Sequence, residues 1–275
     1  MGFLMAVGQM TATEHMEDNL AACERLVQAA SQAGAQMLCL PENFSFLGVE
    51  DQDNKKVADT LDGSSLKPFL ALARKHQLWL SLGGYPEKNP NSDRPFNTHL
   101  LVTPEGQIES TYQKTHLFDV TLPTGQELKE SKGITPGDRL EVTKTPMGTF
   151  GLSVCYDLRF PELYVALRQL GANILLIPAA FTTPTGMAHW ETLLRARAIE
   201  NQCYVVAAAQ VGRHNKNRHS YGHAMIIDPW GTVIAQVGGK EGIALAPINI
   251  EKANDIRQRM PVMDHRRKDL YHQGN

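Results

Sequence analysis

The 275-residue chain has no strong charge of either sign: 27 lysines and arginines stand against 29 aspartates and glutamates, a formal net charge of −2. A balanced chain lacks the broad basic field that nucleic acid or an anionic membrane surface attracts. The run His265-Arg266-Arg267-Lys268 is short enough to be solvated tail, so neither partner is expected. Long apolar runs are missing too. Phe3 to Val7 offers five apolar residues before Gly8-Gln9, too few for a signal-peptide core or a bilayer span, and no export is expected. Cys23, Cys39, Cys155 and Cys203 are scattered with no C-x-x-C pair, which argues against a zinc knuckle or a disulfide framework and for a reducing cytoplasm. No glycine-rich phosphate loop, repeat or internal linker is found. His214, His219 and His223 lie among Arg213, Lys216 and Arg218 on a loop entering a strand, a poor setting for metal ligands, and neither a metal nor a cofactor is expected.

What is present is enough apolar sequence for a large core, with 42% hydrophobic residues. Residues 3–9 read as a buried strand and 17–33 as a helix closed by Gly34. Met37 to Leu40 is a second strand, broken by Pro41 just before Glu42. A capped helix is expected from Ser64 to about His76, then a strand over Leu78–Leu82 and a hairpin whose arms are Thr98–Val102 and Ile108–Tyr112. The second arm delivers Lys114. Residues 119–138, with Pro123, Gly125, Gly133, Pro136 and Gly137, read as one long loop of the kind that often covers a site.

Gly151 to Val154 is strand-like and ends on Cys155, after which Pro161 opens a helix that Gly171 closes. Further on come a buried strand over 172–178, a polar corner at Phe181–Gly186, a helix from His189 to Gln202 and a buried strand over 204–210. A hairpin around Asp228–Gly231, a strand over 243–248 and a helix from about Glu251 complete a single domain over 1–275.

Cys155, Glu42 and Lys114 each follow a strand, and strand ends of one sheet edge meet in space although far apart in sequence. Taken singly, each has a plainer reading: a core thiol, a surface carboxylate, a solvated lysine. Taken together they fit one chemistry. A thiol with a pKa of about 8.5 needs a base, and a partly buried glutamate has its proton affinity raised toward that use. When a thiolate adds to a carbonyl, the new oxyanion is stabilised by a fixed ammonium and by the N–H of Tyr156, the first amide after the cysteine. The sum is hydrolysis of a carbon–nitrogen bond in a small-molecule amide. Glu127 and Glu130 are further candidate carboxylates. Arg159 is placed either to bind a substrate carboxylate or to hold its turn through Glu162, and Thr182 and Thr183 either to contact substrate or to form a turn.

Leu40-Pro-Glu-Asn-Phe44, Tyr112-Gln-Lys-Thr-His-Leu-Phe118 and Ser153-Val-Cys-Tyr-Asp-Leu-Arg-Phe-Pro-Glu162 resemble the three signature blocks of the nitrilase superfamily of carbon–nitrogen hydrolases. The resemblance implies a Glu-Lys-Cys triad at Glu42, Lys114 and Cys155. It also implies an α/β fold, a four-layer α-β-β-α sandwich of the nitrilase type, pairing through helices into a homodimer. Many members place a second glutamate near the triad, which favours Glu130 over Glu127. His189 to Glu200, Tyr204 to Gln210, Tyr221-Gly-His223 and Asp228-Pro-Trp-Gly231 are similar to the branch whose members cleave deaminated glutathione to 2-oxoglutarate and Cys-Gly. Leu117-Phe118 is shared with the ω-amidases, which keeps 2-oxoglutaramate as an alternative substrate. Two rivals remain: a cysteine hydrolase with His116 or His189 as base, and a catalytically silent binding module on the same fold.

Overall fold

The computed structural model describes residues 2–50, 52–121, 125 and 127–271. Two sheets face each other. The first has eight strands, with Phe3–Met10 at its centre. That strand pairs in parallel with Met37–Leu40 and with Ala209–Arg213, and antiparallel along its length with Gly242–Ile248. Beyond Met37–Leu40 the sheet continues through Trp79–Glu87, Phe96–Val102 and Ile108–Gln113. The second sheet has six strands in the order 233–236, 225–227, 204–207, 174–176, 148–152 and 142–145.

Side chains of a strand alternate between its two faces, and the first sheet uses both. Ala6, Leu38 and Leu40 pack against the helices Met16–Gln32 and Lys67–His76, whereas Met5, Val7, Met37 and Cys39 face the second sheet. The helices Pro161–Gln169 and Thr183–Asn201 cover the far side of that second sheet through Leu163, Leu167, Trp190 and Leu194. Helix, sheet, sheet, helix is the expected four-layer order. Both faces of both sheets are covered, which is why the central strands read as continuous apolar runs.

Four expectations are corrected. The helix near Ser64 starts at Lys67, because the Ser65 hydroxyl binds the Asp59 carboxylate and Tyr85 instead of capping it. Residues 119–138 are no structureless loop: Asp119–Thr121 and Glu127–Lys129 pair as a small hairpin, followed by a 3₁₀ turn at Glu130–Lys132, while Pro123 lies outside the described residues. The helix expected from His189 begins at Thr183, since Pro184 falls in the first turn, where its missing N–H costs no hydrogen bond. The strand expected over 204–210 is two: Tyr204–Ala207 belongs to the second sheet and Ala209–Arg213 to the first.

Between the sheets runs a buried polar line. The His99 Nδ1 proton goes to the Ser153 carbonyl at 3.0 Å, leaving Nε2 to accept from the Ser81 hydroxyl at 2.7 Å. Burial pushes His99 down to about 4, and it does the same to His214, whose ring binds the Ala12 carbonyl and Ser220. Both are therefore neutral in the fold, while the unfolded chain takes up a proton at each below pH 6.5. The unfolded state then binds more protons between pH 6.5 and 4, so stability falls with pH across that window. The expected loss is about 1.4 kcal/mol per histidine for each pH unit below 6.5, read as a falling urea midpoint between pH 7 and pH 4.5. A midpoint flat over that range would contradict it.

Candidate active site

Four side chains converge at one end of the sandwich, each from just beyond a strand or a turn. Glu42 follows the strand Met37–Leu40, with Asn43 turning the chain at φ 60° and the Gln210 amide donating to the Glu42 carbonyl at 2.9 Å. Lys114 follows the hairpin arm Ile108–Gln113; its N–H donates to the Asn97 carbonyl and its own carbonyl accepts from Gly137. Cys155 opens the 3₁₀ turn Cys155–Arg159 at φ 48°, its N–H bound to the Pro178 carbonyl at 2.9 Å. Glu130 starts the 3₁₀ turn after the small hairpin. Gly84, at φ 72°, lets the neighbouring strand pass so close that a Cβ there would sit 2.7 Å from Asn97 Oδ1 and 2.9 Å from Glu42 Cγ.

The Lys114 ammonium is 2% exposed and lies 2.9 Å from Glu42 Oε1 and 2.9 Å from both Glu130 oxygens. The Cys155 thiol lines the same cavity as the Glu42 carboxylate and is within its electrostatic reach, and Glu42 Oε2 accepts from the Ala180 N–H at 3.1 Å. Asn97 Nδ2 reaches Glu42 Oε1 at 3.0 Å and Glu130 Oε1 at 3.3 Å, tying the two carboxylates together. Burial, and then Glu42, hold the thiol well above the usual cysteine range, so the resting sulfur is protonated. For Lys114 burial works against the charge, but Glu130 and Glu42 outweigh it and fix the ammonium. The expectation that burial raises Glu42 is overturned. Burial does push it up, but the ammonium 2.9 Å away pulls harder and holds it below the usual glutamate range.

The cluster lines a cavity of about 210 Å³ with Phe118, Leu128, Tyr156, Arg159, Phe181 and Thr182 on its walls. The sequence profile of the carbon-nitrogen hydrolases matches residues 4–258. The chain belongs to this family. Deaminated glutathione amidase from Homo sapiens is 47% identical over 98% of this chain and 83% of its own length. The protein of that name from Synechocystis is 43% identical over 96% and 98%. Among solved structures, the Caenorhabditis elegans NitFhit protein superimposes with a TM-score of 0.93 at 45% identity, covering 98% of this chain and 66% of the NitFhit chain. Saccharomyces cerevisiae Nit3 does so with a TM-score of 0.86 at 30% identity, covering 97% of both.

The remaining expected residues of this carbon-nitrogen hydrolase separate clearly. Glu130 is in the cluster, whereas Glu127 is exposed and paired with Lys129. Tyr156 packs its ring on Phe118 and Phe160 at the cavity edge. The Arg159 guanidinium lies over the Tyr156 and Phe181 rings, at 5.9 and 5.4 Å, with the His189 ring nitrogen 3.3 Å away. Thr182 and Thr183 line the cavity, although the Thr182 hydroxyl binds Thr185. His116 and His189 are not on its walls; His116 is bound to Asp157 at 2.7 Å and stacked on Phe160.

Two residues that matter here went unremarked in the sequence. Asn97 was discoverable from the hairpin register: Thr98 pairs with Gln113, so the next position along is Asn97 against Lys114. Gln210, which fixes the Glu42 carbonyl, carries no local signal.

Proposed function

We propose that this hydrolase is a cysteine-dependent amidase acting on deaminated glutathione, releasing 2-oxoglutarate and Cys-Gly. What carries the proposal is one buried cluster, lining a single cavity, in which a protonated thiol faces a carboxylate that is bound to a fixed ammonium at 2.9 Å. Relatives 43–47% identical bear that activity in their names.

Cys155 is the nucleophile and Glu42 the base. As sulfur adds to the amide carbonyl, the thiol proton passes to Glu42, and negative charge moves to the carbonyl oxygen, where Lys114 and the Tyr156 N–H stabilise it. Transfer in the resting site is uphill, given the high thiol and low carboxylate. It becomes favourable only as charge leaves sulfur, so the arrangement favours the transition state over the free enzyme. Collapse of the adduct expels the Cys-Gly amine, which takes the proton from Glu42. Water then attacks the thioester, giving one proton to Glu42, and the departing thiolate recovers it as the acid is released. Glu130 supports the cycle by holding Lys114. Side chains, one backbone N–H and water supply every step, so no cofactor is called for.

Arg159 is the cation for a substrate carboxylate, with Thr182 and Thr183 as hydrogen-bonding neighbours. Arg159→Leu is expected to raise KM by about 10- to 100-fold with a much smaller change in kcat, because a charged hydrogen-bonded pair is lost from substrate and transition state alike. Equal KM values for the two proteins would remove Arg159 from the site. The deciding experiment incubates the chain with deaminated glutathione and with 2-oxoglutaramate and measures 2-oxoglutarate. Faster release from the second would move the substrate to an ω-amidase type, and none from either would sink the proposal. A homodimer is also proposed, supported by Met187 and Ile199 standing exposed on the outer helix Thr183–Asn201. So is a cytoplasmic location, supported by four cysteines that are all unpaired.

A further inference from the structure

Asp157 is fully buried, and five hydrogen bonds converge on its carboxylate. Oδ2 accepts from the Tyr112 hydroxyl at 2.9 Å and the Val154 N–H at 2.8 Å. Oδ1 accepts from the His116 N–H at 3.1 Å, the His116 ring at 2.7 Å and the Thr115 hydroxyl at 3.3 Å. The donors are not scattered. Tyr112, Thr115 and His116 flank Lys114, Val154 precedes Cys155, and Asp157 itself lies in the turn that Cys155 opens.

One carboxylate therefore ties the chain on both sides of the lysine to the chain on both sides of the cysteine. Both ends need the tie. Cys155 holds a left-handed backbone conformation, φ 48°, that a side chain adopts only where its surroundings over-determine it. Lys114 carries its charge on a flexible four-carbon stem, so the ammonium is only as well placed as the root of that stem. An amide cannot replace the carboxylate, because its NH₂ would face donors where an acceptor is required.

We propose that Asp157 is the positioning residue that sets the Lys114 ammonium against the Cys155 sulfur, a role that rests on the catalytic assignment of those two groups made above. The test uses Asp157→Asn in the full chain, with three readouts: kcat and KM for 2-oxoglutarate release, the pH profile of Cys155 alkylation by iodoacetamide located by mass spectrometry, and the thermal midpoint.

Displacements near 1 Å cost about 10²-fold in rate, so kcat is expected to fall by about that factor with KM changed less than about twofold. Lys114 pulls the thiol toward ionisation, so loosening it should also move the alkylation profile up by about one pH unit. A folded variant with kcat within about threefold of the parent would overturn the proposal. A loss of kcat without the shifted profile would do so equally, since that is what mere destabilisation produces. Should Asp157→Asn fail to fold, Tyr112→Phe and Thr115→Val each remove one tie and keep the carboxylate. Each is expected to lower kcat by about 3- to 10-fold at constant KM, and unchanged kcat in both would overturn it. Lys114→Ala separates the two levels: parent-like turnover there removes the catalytic assignment itself, whereas an inactive Lys114→Ala beside a normal Asp157→Asn removes only the positioning role.

Discussion

Cys155→Ala is expected to lower 2-oxoglutarate release by about 10⁴-fold or more, because among the described residues no other thiol lines the cavity to form the acyl intermediate. Cys23, Cys39 and Cys203 are also unpaired, but all three are buried in the core and none of them lines the cavity beside Glu42 and Lys114. The fold should survive the change. Alanine keeps the Cβ and the same backbone conformation, and the side chain removed is one sulfur at the edge of a cavity. The measurement is product release beside the urea midpoint, and residual turnover above about a hundredth of the parent in a folded variant would remove Cys155 as nucleophile.

Glu42→Gln is expected to cost about 10³- to 10⁴-fold in kcat, the upper part of the range for a lost general acid–base group. Glutamine keeps the shape and can still accept from Ala180, but it cannot take a proton from sulfur or return one to the amine. The pH dependence follows from the low-lying carboxylate. With Lys114 outweighing burial, Glu42 remains ionised above the usual glutamate value and loses its charge only below it. The acid limb of the parent's kcat/KM should therefore lie below pH 4.5, and the variant's residual rate should lack it. Stability carries the same sign: a depressed folded pKa stabilises above the unfolded value, and the contribution is lost as pH falls through the folded one. If Glu42→Gln keeps most of its activity and a change at His116 or His189 abolishes it, the base is a histidine.

The three strand ends were legible because short apolar runs broken by proline or polar residues mark where a buried strand leaves the sheet, at Leu40-Pro41, Gln113-Lys114 and Val154-Cys155. The four-layer order came from resemblance, and the cover on both faces of the sheets agrees with it. What escaped depends on partners distant in sequence. The direction in which Glu42 shifts is decided by an ammonium 72 residues away, and local composition records only that the glutamate is half surrounded by apolar groups. Asp157 stands inside a block that drew attention for its cysteine, yet its importance lies in donors more than forty positions earlier. Pro184 is a different case: it lies in the stretch Phe181–Gly186 that reads as a polar corner, whereas the first turn of a helix is where proline fits best.

The segment from Tyr204 to Arg213 gives half its length to each sheet. A backbone shared in this way acts as a stitch: neither layer can slide or peel away while the other holds, so both are expected to melt as one cooperative unit. The small hairpin of Asp119–Thr121 and Glu127–Lys129 pairs with neither layer and stands outside that unit.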